Sequence, residues 1–584
     1  MVEIMNYNSV FSDVKHWSEP LGLHLSWTEH ALGLVWYYLI AGAVFLLRGK
    51  TLPAARVSAV LFFLLGSADH YVLRFRGRSI FPSDLLTLRT AANVAGSYDY
   101  TPDLLQAAAY LILAVYLLAI HMLPRQEQPR RPRWFVTVPA VLLAGAYMFL
   151  FFRTPFLSAL GVEPDLWTTR GNGFLLNFTV SLRYSQVERP EGYSPERVEE
   201  LAGGLPVSAS EGVPPVNIIV VMNEAFSDLS VLGVETNDDT MPFYHSLTEN
   251  AVKGFVCASV FGGTTANSEY EFLTGNTMAF LPAGTVPYHM FVQDGDPALP
   301  HQMEALGYDT MAIHPYYKSG WNRVAVYDAF GFQSTRFLSD FRHKDKVRTY
   351  VSDRANYAEA LDLLDEAEHP LFLFNVTMQN HSAYNLEWTN LEKTVWLEGA
   401  LKGRYPWVDQ YLSCVRESDA ALEGLIQTLS QREEPVLLVL FGDHQPQVNT
   451  SFYESVFGKP LDELNPEEEQ LRHMTPFLIW ANYDIEEQEG LVLSINHLSA
   501  LMMEAANLPM TRYQRFSAQL RELVPVINAV GYREAGGGDV SRRSELSPEA
   551  QEAVLQYEQL QYNQLFDRED RVDEFFFLTE ESEP

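Results

Sequence analysis

The stretch "PVLLVLFGDHQPQ" (435–447) is an unbroken apolar run of strand length that ends at Gly442 in Asp443 and His444. A run without polar alternation is buried on both faces, as strands inside a parallel sheet are. Four other segments share its character: "VNIIVVM" (216–222), "YDTMAI" (308–313), "PLFLFNVT" (370–377) and "TPFLIWA" (475–481). Helical stretches such as 355–367 and 409–430 lie between them. Short buried strands alternating with helices predict an α/β sandwich around a mostly parallel central sheet.

The residues just past each strand carry chemistry. "NEAFSDL" brings Glu224, the second strand ends at His314, "MQNHSAY" brings His381, and "GDHQPQ" brings Asp443 and His444. Open α/β sheets bind ligands at the carboxyl ends of their strands. One histidine or carboxylate in a loop has an ordinary explanation in solvent or a backbone contact, but four of five strands ending this way mark a site. Glu224, Asp443 and His444 form a divalent-metal set, two carboxylates and one imidazole, suited to Mn or Mg and open to Zn.

"FGGTTANSEYEFLTG" (261–275) fits the same site. Its threonines have a plain reading as helix caps, with Glu269 as favourable charge early in a helix. They also have a chemical one. A threonine oxygen would complete the metal set, become a better nucleophile there, and sit where backbone N–H groups favour a phosphoryl group.

The first 155 residues differ from the rest. Apolar runs at 31–47, 57–73, 104–123 and 134–152 approach the roughly 20 residues of a spanning helix. The first is read as a span rather than a cleavable signal, because more spans follow and its flank is acidic. The loops "RGKTLPAAR" (48–56) and "PRQEQPRRPR" (124–133) hold seven Lys/Arg, which leans them towards the cytoplasm and the C-terminal half outside the cell. Arg74, Arg76, Arg78 and Arg89 weigh against that lean. Asp69 and His70 fit either a polar cavity or the interfacial layer. Segment 79–100 fits an interfacial helix.

The domain plan is therefore a membrane domain at 1–155 with about four spans, a linker at 156–215 holding a short helix near 195–202, a catalytic domain at 216–534, and an acidic tail at 535–584. The tail segment "EAVLQYEQLQYNQLF" has helical spacing, and the chemistry does not call on it. The formal charge of -33 excludes a nucleic-acid binder, which needs a basic face. It does not exclude a phosphate substrate, since a local metal and a few basic side chains outweigh a distant field. Two cysteines, Cys257 and Cys414, build no disulfide framework and do not decide the compartment.

In order along the chain, "NEAFSDL", "GGTTANSEYEFLTG", "HPYYKSGWNRVAVYDAFGF", "MQNHSAY", "YLSCVRESDAALEGLI", "FGDHQP" and "TPFLIWANY" resemble the lipoteichoic acid synthase family, as does the membrane half with its "PSDLL…ANVAGSY" segment. That resemblance implies a sulfatase-like, alkaline-phosphatase-superfamily domain outside the cell on a multi-pass cell-membrane anchor. It implies Thr265 as nucleophile. It implies Glu224, Thr265, Asp443 and His444 as ligands of one metal, Mn2+ first, with Mg2+ or Zn2+ as alternatives. It implies His314, Trp321, Arg323 and His381 around a phosphoglycerol group. The expected reaction moves phosphoglycerol from phosphatidylglycerol to a glycolipid or growing polymer. A phosphoethanolamine transferase is the near alternative, and a non-catalytic wall-polymer sensor the distant one. A formylglycine sulfatase fits poorly, because Cys257 sits in "VCASVFG" and not in a C-x-P-x-R context. Three features depart from the family: Tyr316 stands where some members carry an acid, "SAY" follows His381 without the common proline, and four spans are legible where five are usual.

Overall fold

The computed structural model describes residues 27–76, 79–80, 82–85, 101–102, 104–123, 134–160, 162, 173–184, 187–205, 216–282, 284–318 and 320–578. The chain divides into two compact units, one of Met1–Glu188 with Pro282–Thr285 and one of Arg189–Leu281 with Val286–Pro584.

The first unit is helical. Its long helices are Trp27–Arg48, Thr51–Arg76, Leu104–Met122 and Trp134–Arg153. Within the first two, Thr28–Arg48 and Thr51–Val72 are long and apolar enough to cross a membrane, while Gln106–Met122 and Thr137–Arg153 are shorter apolar stretches. Large apolar side chains, among them Tyr38, Leu47, Leu64, Leu111, Leu118 and Leu143, stand exposed on these helices. A contiguous apolar exterior of that kind marks an interaction surface. Asp69 is buried and accepts hydrogen bonds from the Ser79 hydroxyl and the Ile80 N–H, so it holds the start of the following segment. Of the expected interfacial segment, Pro82–Leu85 forms one 3-10 turn and 86–100 lie outside the described residues.

The second unit is an eight-stranded sheet covered by helices. Its strands are β1 (Asn217–Asn223), β2 (Ala251–Cys257), β3 (Asp309–His314), β4 (Ser334–Phe337), β7 (Leu371–Val376), β8 (Val436–Gly442), β9 (Met474–Ala481) and β10 (Gln488–Ser494). A small hairpin, β5 (Lys346–Val347) and β6 (Tyr350–Val351), stands apart from it. The sheet order is β10-β2-β9-β8-β1-β7-β3-β4. All pairings are parallel except those of β9 with β2 and β8. The five strands expected from the sequence are all present. β9 alone of the five ends without a reactive residue because it runs the other way, so its carboxyl end lies at the opposite edge.

The sequence reading omits β2, β4 and β10. In β2, Lys253 and Gly254 break the apolar run, yet the glycine is required there: a Cβ would lie 2.0 Å from the Leu491 carbonyl oxygen of β10. β10 is an edge strand whose first residues are exposed. Helix Pro195–Gly203, capped by the Ser194 side chain on the Arg197 N–H, and helix Pro548–Phe566 belong to this second unit. Val198, Ala202, Tyr557, Leu560, Phe575 and Phe576 share one buried cluster there.

Candidate active site

The register of β1 against its neighbours builds the site. Asn223 pairs with Gly442 and Met222 with Val376, so Glu224, Asp443 and Thr377 leave the sheet side by side. Gly442 has no room for a side chain, since a Cβ would lie 2.0 Å from the Phe226 carbonyl oxygen. The chain turns at once after β1: Ala225 has φ 47, a left-handed conformation. Its N–H donates to Asp443 Oδ1 at 2.8 Å, and the His444 N–H donates to the same oxygen at 2.9 Å. That leaves Asp443 Oδ2 for the site.

His444 Nδ1 lies 2.9 Å from the Gln445 carbonyl oxygen. A carbonyl only accepts, so Nδ1 carries the hydrogen and Nε2 presents a lone pair. Nε2 lies 3.1 Å from Asp443 Oδ2 and 3.9 Å from Glu224 Oε1. Asp443 Oδ2 and His444 Nε2 are both buried without a hydrogen-bond partner. Lone pairs of an imidazole and a carboxylate facing each other at that range repel unless a cation lies between them. Burial and the Asp443 carboxylate push the Glu224 carboxyl up to about 8. Among the described residues, Glu224, Asp443 and His444 are the only group of His, Cys, Asp and Glu drawn close enough to share an ion. Orphaned donor atoms and an excess of buried negative charge both fit a divalent metal.

Thr265 opens helix Thr265–Thr274, is buried, and its hydroxyl is near enough to Glu224 to favour the ionised carboxylate. Thr264 occupies the cap position at φ 67 with no side-chain capping bond, which removes the plain capping reading. The glycines before it explain the turn, for Gly262 has φ 66 and its Cβ position lies 3.0 Å from Gln447 Cβ. At the other side of the helix start, the Ser268 hydroxyl donates to the Asp443 carbonyl at 2.7 Å.

His314 ends β3, buried, with Nδ1 3.1 Å from the Val376 carbonyl oxygen. Burial, followed by the Arg323 charge, holds its imidazole well below the usual range. His381 is half-buried on the loop after β7, and burial lowers it too. Arg323 is buried, and its positive charge favours the Glu224 carboxylate and disfavours protonation of His314 and His381. Trp321 and Asn322 precede it in left-handed conformations, φ 54 and 58. The half-buried Trp321 ring lies 6.0 Å from the His289 ring.

Sequence reasoning missed the supports. Glu269, read there as early-helix charge, is wholly buried and grips Arg323 through Nε at 2.9 Å and through Nη2. Tyr327 and Tyr288 donate to its other oxygen at 2.7 and 3.2 Å. The Glu224 N–H donates to the Thr377 hydroxyl at 3.1 Å, and Asn223, at the end of β1, reaches Asp353 at 2.9 Å. Asp353 also takes Ser418 at 2.6 Å. The one sequence signal for these residues is that buried acids in "NSE" and "SDR" interrupt otherwise apolar surroundings.

A helix-borne threonine facing a carboxylate–imidazole cluster at the carboxyl edge of a mostly parallel sheet defines a domain of the alkaline phosphatase superfamily. Within that class the chain belongs to the Sulfatase family, whose profile matches residues 216–508, half of the chain. A putative cyclic beta-1,2-glucan modification protein of Rhizobium meliloti (strain 1021) is 30% identical over 431 residues, 71% of this chain and 66% of that protein. Lipoteichoic acid synthase 1 of Bacillus subtilis (strain 168) is 26% identical over 240 residues, 39% of this chain and 36% of that protein. The chain thus spans less than two thirds of either relative. The Streptococcus pyogenes phosphoglycerol transferase GacH, solved with sn-glycerol-1-phosphate, shares the fold with a TM-score of 0.56 at 20% identity, covering 68% of this chain and 100% of that one. The resemblance to the lipoteichoic acid synthase family and the expected fold class are borne out.

Proposed function

We propose that this protein transfers phosphoglycerol from phosphatidylglycerol to a hydroxyl of a glycolipid or growing polyglycerolphosphate through a covalent intermediate on Thr265. The observation that carries this reading is the buried Thr265 at the start of a helix that Ser268 ties to Asp443, beside the Glu224–Asp443–His444 cluster. Glu224, Thr265, Asp443 and His444 would hold a divalent ion, Mn2+ before Mg2+ or Zn2+, which when bound lowers the pKa of the threonine hydroxyl. Thr265 Oγ attacks phosphorus, diacylglycerol leaves, and an alcohol then displaces Thr265. Glu269 fixes the plane of the Arg323 guanidinium, so that Arg323 meets the phosphoryl oxygens without reorganising. His314 and His381, neutral by burial, bond the phosphoglycerol, His314 moving the proton at the leaving oxygen and His381 the one at the entering oxygen. Trp321 packs against the glycerol carbons.

The names of the relatives, a glucan modifier, a lipoteichoic acid synthase and a phosphoglycerol transferase, support a glycan or polyol hydroxyl as acceptor. The exposed apolar helices of the first unit support a multi-pass anchor in the cell membrane, and the Lys/Arg of loops 48–56 and 124–133 support an extracellular catalytic unit. The test supplies the full chain, in lipid vesicles with Mn2+, with phosphatidylglycerol or phosphatidylethanolamine. Diacylglycerol released from phosphatidylglycerol by wild type and not by Thr265→Ala is the expected result. Release from phosphatidylethanolamine alone would make it a phosphoethanolamine transferase. Release from neither would leave the sensor.

A further inference from the structure

The hairpin β5–β6 clamps the loop that carries His381. Arg348, at its turn with φ 55, is buried and donates through Nη2 to the carbonyls of Gln379 and His381, each at 2.7 Å, and through Nη1 to that of Ala383 at 3.0 Å. Two residues on, the Tyr350 hydroxyl donates to the Ser382 carbonyl at 2.8 Å and lies 3.1 Å from His381 Nδ1. The two rings are 5.2 Å apart. His381 Nδ1 itself lies 2.8 Å from the Ser382 carbonyl oxygen.

These contacts decide the tautomer. The Ser382 carbonyl can only accept. The single hydrogen of the Tyr350 hydroxyl is spent on that carbonyl, so its oxygen offers Nδ1 a lone pair. Both partners of Nδ1 are acceptors, and Nδ1 carries the hydrogen. The other nitrogen, Nε2, is left as the basic one. The charges acting on this ring are Asp443 from the carboxylate–imidazole cluster, Arg348 from the hairpin and Arg323 from the start of helix Arg323–Ala329, with His314 close enough to feel it.

We propose that Tyr350 is a positioning residue for the second half of the transfer: it holds His381 in the tautomer and orientation that accept the proton of the attacking alcohol. The inference rests on the threonine-linked reading above. In the step, the alcohol oxygen bonds phosphorus and its proton goes to His381 Nε2. The bond from phosphorus to Thr265 Oγ breaks with its electron pair on Oγ. Thr265 recovers a proton from water, and His381 releases one to water, so the site returns to its starting state.

Tyr350→Phe keeps the ring and removes the hydroxyl. The test loads the full chain in vesicles with head-group-labelled phosphatidylglycerol and follows label on Thr265 by peptide mass spectrometry, before and after adding a glycolipid acceptor. Wild type and Tyr350→Phe should both acquire label. The variant should discharge it roughly tenfold or more slowly, within the range for a misplaced general base, at an unchanged acceptor KM. Label accumulates on the variant as a result. Discharge at the wild-type rate overturns the inference. So does a variant that cannot be loaded, because the role would then be structural. Absence of label on wild-type Thr265 overturns the covalent reading and this inference with it.

Discussion

Glu269 shows how much of the site lies behind the reacting groups. It is buried with Arg323, and its carboxylate accepts from that guanidinium and from two tyrosines. Removing one partner of a buried ion pair strands the other charge, at about 3–5 kcal/mol. Glu269→Gln should therefore lower the unfolding free energy by about 3 kcal/mol or more in denaturant titrations, whereas a loss below about 1 kcal/mol would mean Arg323 finds other partners. Thr265, Glu224, Asp443 and His444 were legible from sequence because each sits directly at a strand end or helix start. Glu269 and Tyr350 were not. Their partners lie 54 and 31 residues away, and no local pattern joins an acid to an arginine at that distance.

Between residue and domain, elements fix the geometry that the pattern of residues only suggests. The strands nearest the site were plain in the sequence because burial on both faces leaves an uninterrupted apolar run. β2 and β10 were hidden, one by a glycine needed for close approach and the other by a polar exposed edge. The segment after β1 is tied down by His245, whose Nδ1 lies 2.9 Å from Asp239 and Nε2 3.2 Å from Asp228. The Asp228 hydrogen bond, then Asp239, raises the imidazole from 6.5 to about 9. A folded pKa above the unfolded one gives stability that is full below pH 6.5 and fades as pH rises through about 9. Thermal unfolding of wild type should accordingly show a falling midpoint across that window, and His245→Asn should flatten the fall. An unchanged slope in the variant would assign it to other groups.

At the scale of the whole molecule, the C-terminal segment belongs to the second unit, with the candidate site, although the proposed chemistry makes no direct use of it. The Tyr557 hydroxyl donates to the Gly275 carbonyl at the end of the Thr265 helix, and Gln561 and Thr277 exchange two hydrogen bonds. Acidic composition concealed this, because the inward-facing Val554, Tyr557 and Leu560 of helix Pro548–Phe566 are spaced among polar residues. Tyr557→Ala should cost about 3–5 kcal/mol, measured by chemical denaturation, and lower the proposed transfer activity by loosening the helix that carries Thr265. A neutral effect would make the segment a passive cover. The central claim is that Thr265 is the covalent carrier of phosphoglycerol. It is tested most directly by quenching the full chain during turnover of labelled phosphatidylglycerol and locating the label by mass spectrometry. The account predicts phosphoglycerol on the peptide holding Thr265 and none in Thr265→Ala. Diacylglycerol released by Thr265→Ala at the wild-type rate, or label on another residue, would contradict it.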